Sequence, residues 1–260
     1  MKKLFLVCAL TLFAILPAIA ADNPWIGTWK LDPAKSHFTG DTFTYSKAAN
    51  GMMQYSNGST IKFEFAIDGK EYKSVYDRTV TWTTAGDNAW DTVYKANGKV
   101  LSKSHRQISP DGKTMTITNT GTRPDGTTFT NDLVFTRVTG TNGLVGEWRT
   151  TKVTISAPDS VVVSSLSPGI MHWDYPAFKY SFEGKFDGTD LPVTGPTAPS
   201  GTTISCKMLS AQKISYENKV AGKITGYGLL TLAADGKTFT DASWDPGKES
   251  EKETSFYEKQ

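Results

Sequence analysis

Arginine, serine and aromatic side chains alternate along strand-like segments of this chain, in positions where they would line the inside of a β-barrel. Burying an arginine without an anion is costly. Arginines on an inward face therefore predict a ligand that carries a carboxylate or a phosphate, and neighbouring aromatic rings would hold the apolar body of that ligand. The predicted ligand-binding residues are Arg78, Trp82, Trp90, Tyr94, Ser104, Arg106 and Arg137.

The same arginines have a second interpretation that needs no ligand. One or more of them would lie at the mouth of a barrel, or would pair with a carboxylate such as Glu64 or Asp91. A shift of one residue in a strand exchanges its inner and outer faces. Both interpretations therefore stay open at the level of sequence.

The chain contains no recognisable catalytic or metal-binding motif. There is no Ser-His-Asp set, no glycine-rich phosphate loop and no His-Glu-x-x-His sequence. The three histidines, His37, His105 and His172, are far apart in the sequence and do not have the spacing of metal ligands. We therefore expect a protein that is not an enzyme and that carries no cofactor and no metal.

The first twenty residues are typical of a bacterial Sec-type signal peptide. Lys2 and Lys3 precede an apolar run from Leu4 to Leu16, and Ala18-Ile19-Ala20 is a small-x-small cleavage site. The chain has 28 Lys and Arg against 26 Asp and Glu, so removal of the two leader lysines balances the charge. A balanced charge provides no attraction for nucleic acid or anionic membranes. We expect a periplasmic or secreted protein with no transmembrane segment in the mature chain.

The rest of the chain contains one sequence pattern twice. Gly27-Thr28-Trp29 returns as Gly146-Glu147-Trp148 at an offset of 119, and Asp111-Gly112-Lys113-Thr114 returns as Asp235-Gly236-Lys237-Thr238 at an offset of 124. A repeat of this length is the size of a whole small domain. The predicted organisation is a signal peptide at 1–20, a first barrel at 21–139, a linker at 140–143 and a second barrel at 144–260.

Strand signals dominate both copies. In residues 60–67 and 178–186 apolar and polar side chains alternate, and Asn-Gly or Asp-Gly dipeptides punctuate the runs. Alternation is typical of antiparallel sheet with one buried face, and these dipeptides tolerate the positive φ of tight hairpins. The predicted fold is all-β, with two tandem antiparallel up-and-down barrels of eight to ten strands each.

The repeats also allow the inner faces of the two barrels to be compared. Ser104 and Arg106 of the first copy correspond to Gly228 and Leu230 of the second. The first copy is therefore predicted to hold the anion, and the second copy to bind the same ligand more weakly. Cys206, the one cysteine beyond the leader, is expected to be a small core residue.

The repeated Gly-x-Trp resembles the opening of the calycin group, which comprises the lipocalins and the fatty-acid-binding proteins. The chain also resembles an exported bacterial lipocalin-like family that carries Gly-Thr-Trp-Lys-Leu, Pro-Ala-Lys-Ser and Asp-Gly-Lys-Thr-Met-Thr, here at residues 27–31, 33–36 and 111–116. No chemistry is assigned to that family. The chain departs from calycins because it lacks the helix pair of fatty-acid-binding proteins and the disulfides and C-terminal helix of lipocalins.

The resemblance implies a structural role for four residues, Gly27, Trp29, Gly146 and Trp148. In lipocalins the tryptophan packs at the closed end of the barrel beneath an arginine from the last strand. The resemblance thus implies that Arg137 covers Trp29 in the first barrel. It also implies a weaker cap over Trp148, or one made by Lys259.

These observations predict an exported, non-enzymatic binding protein whose first barrel holds a small amphipathic or anionic ligand, such as a fatty acid. The alternative is a scaffold of the cell envelope in which loops at residues 194–201 and 171–176 contact a macromolecule. A small-barrel enzyme is a third hypothesis. A cavity of roughly a few hundred Å³ would favour ligand binding, whereas an inward carboxylate or histidine with a perturbed pKa would favour the enzyme.

Overall fold

The computed structural model describes residues 23–196 and 198–260, and the predicted signal peptide lies outside these residues. The described chain is all-β, and the prediction of two up-and-down barrels is confirmed, with ten antiparallel strands in each. The strands, in chain order, are β1 (Gly27–Leu31), β2 (Thr42–Lys47), β3 (Met53–Ser56), β4 (Lys62–Phe65), β5 (Glu71–Lys73), β6 (Arg78–Gly86), β7 (Ala89–Ala96), β8 (Lys99–Ile108), β9 (Thr114–Thr122), β10 (Thr128–Arg137), β11 (Gly146–Thr154), β12 (Ser160–Ser167), β13 (Ile170–Tyr175), β14 (Tyr180–Gly184), β15 (Asp187–Pro192), β16 (Thr202–Ser210), β17 (Lys213–Val220), β18 (Lys223–Leu232), β19 (Thr238–Trp244) and β20 (Glu253–Lys259).

Each sheet rolls into a nearly closed barrel. The first barrel consists of β2 to β11, and the second consists of β1 together with β12 to β20. The end strands of each sheet, β4 with β5 and β14 with β15, lie side by side without a continuous ladder. In the second barrel a bridge between Ser181 and Thr194 closes part of that gap. Closure of this kind removes exposed sheet edges.

The two sequence repeats exchange their first strands. Strand β1 lies in the second barrel, where Trp29 pairs with Val161 of β12 and with Lys259 of β20. Strand β11 lies in the first barrel, where Trp148 pairs with Arg137 of β10 and also joins β2. Each barrel is therefore completed by the Gly-x-Trp strand of the other repeat.

The sheets consequently divide the chain differently from the predicted domains at 21–139 and 144–260. The segment at 140–143 marks the boundary between sequence repeats, but it lies within the first barrel, in the connection between β10 and β11. A connection this short places two antiparallel strands side by side. Because β11 forms a hairpin with β10, it belongs to the first barrel.

The alternation seen in the sequence correctly identifies most of the buried face. Phe63 and Phe65 of β4 are buried, and Trp29 and Trp148 are both 0 % exposed. Alternation also predicts an inward position for Val100, which has the same parity as Ser104 and Arg106, but Val100 is 50 % exposed. The register between β7 and β8 shifts just there, and such a bulge turns the preceding part of the strand away from the core.

A cluster of hydrogen bonds and ion pairs, called the junction below, joins the two barrels. The Lys248 ammonium donates to the Thr42 carbonyl at 2.8 Å and to the Glu251 carboxylate at 2.7 Å. The Asn57 amide donates to the Asp245 carboxylate at 2.6 Å. These contacts connect β2 and the loop after β3 of the first barrel to the segment between β19 and β20 of the second.

Helical structure is minimal in the part of the chain that the structure describes. It consists of one 3-10 turn, Glu249–Glu251, beside the junction. No helix in the described residues has the length and apolarity needed to cross a membrane.

Candidate ligand-binding cavities

The first barrel encloses a cavity of about 310 Å³ that opens towards the junction. Its walls combine aromatic rings with hydroxyl groups, one amide and one guanidinium. Three of the predicted ligand-binding residues, Tyr94, Ser104 and Arg106, are among the side chains that line it. The other lining residues include Phe43, Tyr45, Tyr55, Ser102, Asn119 and Phe135.

Arg106 is the most unusual side chain of this cavity. It is only 7 % exposed, and its Nη1 donates to Thr92 Oγ1 at 2.6 Å. The guanidinium carbon lies 4.6 Å from the ring centroid of Trp82, a cation–π arrangement. Its Nε has no hydrogen-bond partner, and among residues 23–196 and 198–260 no carboxylate forms an ion pair with it. A buried guanidinium in this state has capacity for an anion.

The neighbouring hydroxyl groups remain neutral donors near neutral pH. Burial raises the pKa of Tyr45 to about 12, against the opposing effect of Arg106. Burial likewise raises the pKa of Tyr94. Ser104 donates to Asn119 Oδ1 at 3.1 Å. Apart from the Arg106 guanidinium, the polar groups in this part of the cavity are therefore uncharged.

Two carboxyl groups, Asp41 and Glu253, line the junction end of the same cavity. Neither lies within ion-pair distance of Arg106. Burial raises the pKa of Glu253 to about 7, and the nearby Asp41 and Asp245 carboxylates raise it further in the same direction. Burial also raises the pKa of Asp41. Glu253 therefore carries less than full charge near neutral pH.

The structure places the two predicted tryptophans behind the cavity. Trp82 is fully buried, lies under Arg106 and stacks on Phe65 with ring centroids 4.3 Å apart. Trp90 is partly buried against the same core. Neither ring is among the side chains that line the cavity, so the role of Trp82 is to hold the arginine.

Arg78 and Arg137 do not join this cavity. Arg78, at the start of β6, lines the cavity of the second barrel instead. Arg137 lies over the ring of Trp148, where Nε donates to the Gly112 carbonyl and Nη2 to the Gly143 carbonyl, both at 2.6 Å. The pairing with carboxylates considered above is absent within the described residues, because Asp91 contacts His105 instead.

The tryptophan caps follow the strand exchange. Arg137 covers Trp148, 4.1 Å from its ring centroid, and Lys259 covers Trp29 at 5.0 Å. The cap of Trp29 by Arg137 that the resemblance implied is therefore wrong, because β1 lies beside β20 rather than β10. Each indole donates to the carbonyl four residues earlier, Trp29 to Trp25 and Trp148 to Leu144, at 2.9 Å in both cases.

The two glycines of the motif lie where a side chain would not fit. Gly27 has φ +147° and Gly146 has φ +137°, and residues other than glycine rarely adopt such backbone angles. A Cβ at Gly27 would overlap the Lys259 side chain, and one at Gly146 would overlap the Thr139 carbonyl. Gly27 therefore allows the close approach of the Lys259 cap, and Gly146 allows the close approach of the Thr139 backbone.

The second barrel encloses a larger cavity, about 570 Å³, which the sequence did not single out. Arg78 and the loop residues Ala198 and Pro199 border it, and the Ser200 amide donates to Asp77 at 3.1 Å. Most of the wall is aromatic, and two carboxyl groups face the space. The lining residues include Asp159, Trp173, Tyr175, Tyr180, Cys206, Tyr216, Leu230, Asp241 and Tyr257.

Asp241 is the chemically distinctive group of this cavity. Its carboxylate accepts a hydrogen bond from the Tyr216 hydroxyl at 2.9 Å. Burial raises the pKa of Asp241 to about 6, although this hydrogen bond works in the opposite direction. Burial also raises the pKa of Asp159. The signal was present in the sequence, since an offset of 124 places Asp241 where the first copy has Ile117.

Neither a metal site nor a similar protein identifies a ligand for these cavities. No group of three or more His, Cys, Asp or Glu side chains in the described ranges is arranged to hold a metal ion. Comparison with models of protein families, with curated proteins and with solved structures found no match.

Proposed function

We propose that this chain is an exported, non-enzymatic binding protein whose first barrel holds a small amphipathic molecule with an acidic head group. The observation that carries the proposal is Arg106, a buried guanidinium with a free Nε and no anionic partner among the described residues. An anion bound at this position would receive a charge-assisted hydrogen bond from the guanidinium. It would also remove the cost of burying the charge alone.

The size and lining of the cavity support a small ligand of mixed polarity. Ligand pockets commonly measure about 300–1,000 Å³, and the first cavity, at about 310 Å³, is at the small end of that range. Its aromatic residues Phe43, Phe135 and Tyr55 offer an apolar surface next to Arg106. A short or medium-chain fatty acid has this combination of properties.

The proposal includes a distant relationship to the calycins. Two barrels each contain a buried tryptophan from a Gly-x-Trp sequence, and a basic side chain from the last strand of a repeat covers each indole. This arrangement supports the resemblance. The strand exchange between repeats is an addition to the simple calycin plan.

The scaffold hypothesis has less support. Met171 and Trp173, in one of the two proposed contact segments, are buried. In the other segment, Ala198 and Pro199 line the second cavity. Open interiors of about 310 and 570 Å³ also favour ligand binding over a barrel filled by side chains.

One observation favours the enzyme hypothesis, namely the buried Asp241 with its raised pKa. Its hydrogen-bond partner is the Tyr216 phenol. Burial raises the pKa of this phenol well above its usual value. A phenol in this state donates a hydrogen bond but does not exchange a proton readily near neutral pH. The two hypotheses can be distinguished by incubating the protein with a ligand that it binds and analysing that ligand by mass spectrometry. Recovery of chemically unchanged ligand supports binding without catalysis.

The decisive experiment for the first barrel is Arg106→Leu, with displacement of a fluorescent medium-chain fatty acid as the measurement. Leucine is acceptable at this site because Leu230 occupies the equivalent position in the second barrel. Loss of a charge-assisted contact worth about 1.5–3 kcal/mol should weaken binding by roughly 10- to 100-fold. The matched control is Lys103→Leu, which removes one positive charge from the exposed side of the same strand. Equal affinities in the wild type and the Arg106 variant would exclude Arg106 from the site.

Export is proposed on the leader sequence alone. Expression of the full chain in a bacterium with a Sec pathway, followed by fractionation and N-terminal sequencing, tests it. Cleavage after Ala20 with recovery in the periplasm or the medium is the expected result, and an uncleaved cytoplasmic chain would contradict it.

A further inference from the structure

The two barrels can be aligned residue by residue in the region of their cavities. Strands β7, β8 and β9 correspond to β17, β18 and β19 at a constant offset of 124. In the first barrel Arg106 pairs across the sheet with Ile117. In the second, the equivalent residues Leu230 and Asp241 pair in the same way. The charged residue of this pair is therefore a cation on β8 in the first barrel and an anion on β19 in the second.

The partner of each charge has changed with it. Thr92 accepts the hydrogen bond from Arg106, whereas the equivalent residue Tyr216 donates one to Asp241. Gly228, which corresponds to Ser104, makes this possible because a Cβ there would overlap the Tyr216 ring. The cation of the first barrel thus has a hydrogen-bond acceptor beside it, and the anion of the second barrel has a hydrogen-bond donor.

No basic side chain in the described residues lies within ion-pair distance of Asp241 or Asp159. A carboxylate that is desolvated and unpaired is as costly as an unpaired guanidinium. We propose that the second barrel is a binding site for an organic cation, a primary or quaternary amine attached to an apolar body, with Asp241 as the counter-ion. The proposal concerns a site and a ligand class separate from those of the first barrel.

The walls of the second cavity suit such a cation. Tyr175 and Tyr180 stack with ring centroids 4.6 Å apart, and Trp173 and Tyr257 also line the space. Aromatic faces attract ammonium groups through their quadrupole, and the attraction grows when water is excluded. The apolar body of the ligand would contact Leu230 and Phe182.

The other charged and titratable groups that face this cavity do not neutralise Asp241. Arg78 borders the cavity from the first barrel, and Arg123 acts on Asp159, where it opposes the increase in pKa that burial causes. The phenols of Tyr175, Tyr180 and Tyr257 have raised pKa values because of burial, and so does the Cys206 thiol, to about 12. All four groups are therefore neutral between pH 5 and pH 8, which leaves the two carboxyl groups as the charges able to meet a cation.

Three probes of equal size test the charge preference: 2-phenylethylamine, 2-phenylethanol and phenylacetate. In calorimetric titrations of the full chain near pH 8, we expect the amine to bind about tenfold or more tightly than the alcohol. The amine should bind less tightly at pH 5 than at pH 8, because protonation of Asp241 removes its charge. Equal binding of amine and alcohol at pH 8 would overturn the proposal.

Asp241→Asn is the variant that tests the counter-ion. The asparagine oxygen can still accept the hydrogen bond from Tyr216, so the wall is preserved while the charge is lost. Affinity for the amine should fall about tenfold, and affinity for the alcohol should not change. Asp159→Asn, on a different segment of the wall, gives a second measurement if the first variant folds poorly. Unchanged amine binding in both variants would overturn the proposal.

This test is independent of the proposed function of the first barrel. Arg106→Leu should leave amine binding unchanged, and Asp241→Asn should leave fatty-acid binding unchanged. If the fatty-acid experiment fails and the amine experiment succeeds, the anion site is excluded and the cation site stands. The reverse pattern has the opposite meaning.

Cys206 provides a second measurement inside the cavity. Two methanethiosulfonate reagents of similar length, one with a trimethylammonium arm and one with a sulfonate arm, can be compared by mass spectrometry of the Cys206 peptide. We expect the ratio of cationic to anionic labelling to exceed that of a free thiol, and to fall in Asp241→Asn. Cys206→Ser supplies the blank. A ratio equal to that of the free thiol would contradict a cation-selective cavity.

Discussion

The two barrels have the same strand order and, along β7 to β9 and β17 to β19, the same register, yet they bury opposite charges on these strands. In the first, Arg106 stands beside an apolar residue and contacts Thr92. In the second, Asp241 stands beside Leu230 and contacts Tyr216. The difference shows that one cross-strand pair, at equivalent positions, can carry either charge inside this fold. The rest of the scaffold tolerates either sign provided that the hydrogen-bonding partner changes as well.

The interiors also differ in volume, about 310 against 570 Å³. Tyr216 is much larger than its counterpart Thr92, so the second cavity is not larger for lack of side chains on this strand. In the second barrel an additional loop with two prolines, at residues 194–201, borders the cavity through Ala198 and Pro199. That loop contains the five-residue insertion that distinguishes the repeats.

The largest expected effect separates the barrels by their exchanged tryptophans. Trp148→Ala should cost about 3–5 kcal/mol by loss of burial and formation of a cavity, and so should Trp29→Ala. Hydrogen exchange read by mass spectrometry should show loss of protection in β2 to β10 for the Trp148 variant and in β12 to β20 for the Trp29 variant. The opposite pattern would mean that the strands are not exchanged.

A smaller effect is expected where the hydrogen-bonding partners differ. Gly228→Ser would force the Tyr216 ring away from Asp241, at a cost of about 1–3 kcal/mol. The reciprocal change, Ser104→Gly, removes one hydrogen bond to Asn119 and should cost about 1 kcal/mol. Urea unfolding compares the two. Equal costs would indicate that the Tyr216–Asp241 contact is not what distinguishes the barrels.

The junction should make stability depend on pH. The pKa of Glu253 is about 7 in the folded protein and near its usual value of about 4.3 when unfolded. Its protonated form therefore favours the fold. Stability should fall as pH rises from about 4.3 through 7, because above that range the partly buried carboxylate is charged.

Glu253→Gln should remove this dependence. Because Glu253 is partly exposed, the expected gain in the free energy of unfolding at pH 8 is about 1–2 kcal/mol. The gain should shrink towards pH 5, where wild-type Glu253 is largely protonated. Urea melts at the two pH values test this, with Glu249→Gln, an exposed neighbour, as control. A variant whose stability falls as steeply with pH as that of the wild type would contradict the assignment.

The smallest expected difference concerns the two motif glycines. Gly27→Ala and Gly146→Ala both place a side chain at positive φ, which costs about 1 kcal/mol or more. At Gly27 the new methyl group meets the flexible Lys259 side chain, whereas at Gly146 it meets the rigid Thr139 backbone. We expect Gly146→Ala to cost about 1 kcal/mol more than Gly27→Ala in thermal or urea melts. A larger cost at Gly27 would mean that the Lys259 cap is the more rigid of the two.

Most of the fold and part of the first site could be predicted from sequence. Period-two alternation identified the strands and placed Ser104 and Arg106 on an inner face, because burial imposes that period directly. The strand exchange could not be predicted, since both repeats offer the same Gly-x-Trp strand and either one satisfies the local pattern. Arg78 lines the second cavity beside the contact between Asp77 and Ser200, and the alternation within one strand does not indicate a contact with another barrel. Asp241 was not predicted, because the loss of Arg106 lies on one strand, at Leu230, whereas the new charge lies on the neighbouring strand, and their pairing is visible only in the sheet.

The exchange of β1 and β11 also sets the order in which the molecule can be assembled. Strand β1 leaves the ribosome first, but its partners Val161 and Lys259 are more than 130 residues away. All ten strands of the first barrel are present once β11 has been made, whereas the second barrel waits for the end of the chain. Until β12 has been made, β1 has no native neighbour, and its likeness to β11 makes it a competitor for the position beside β2. Contacts so distant in sequence form slowly, so completion of the second barrel, with release of β1 from any such false pairing, is the expected slow step of folding.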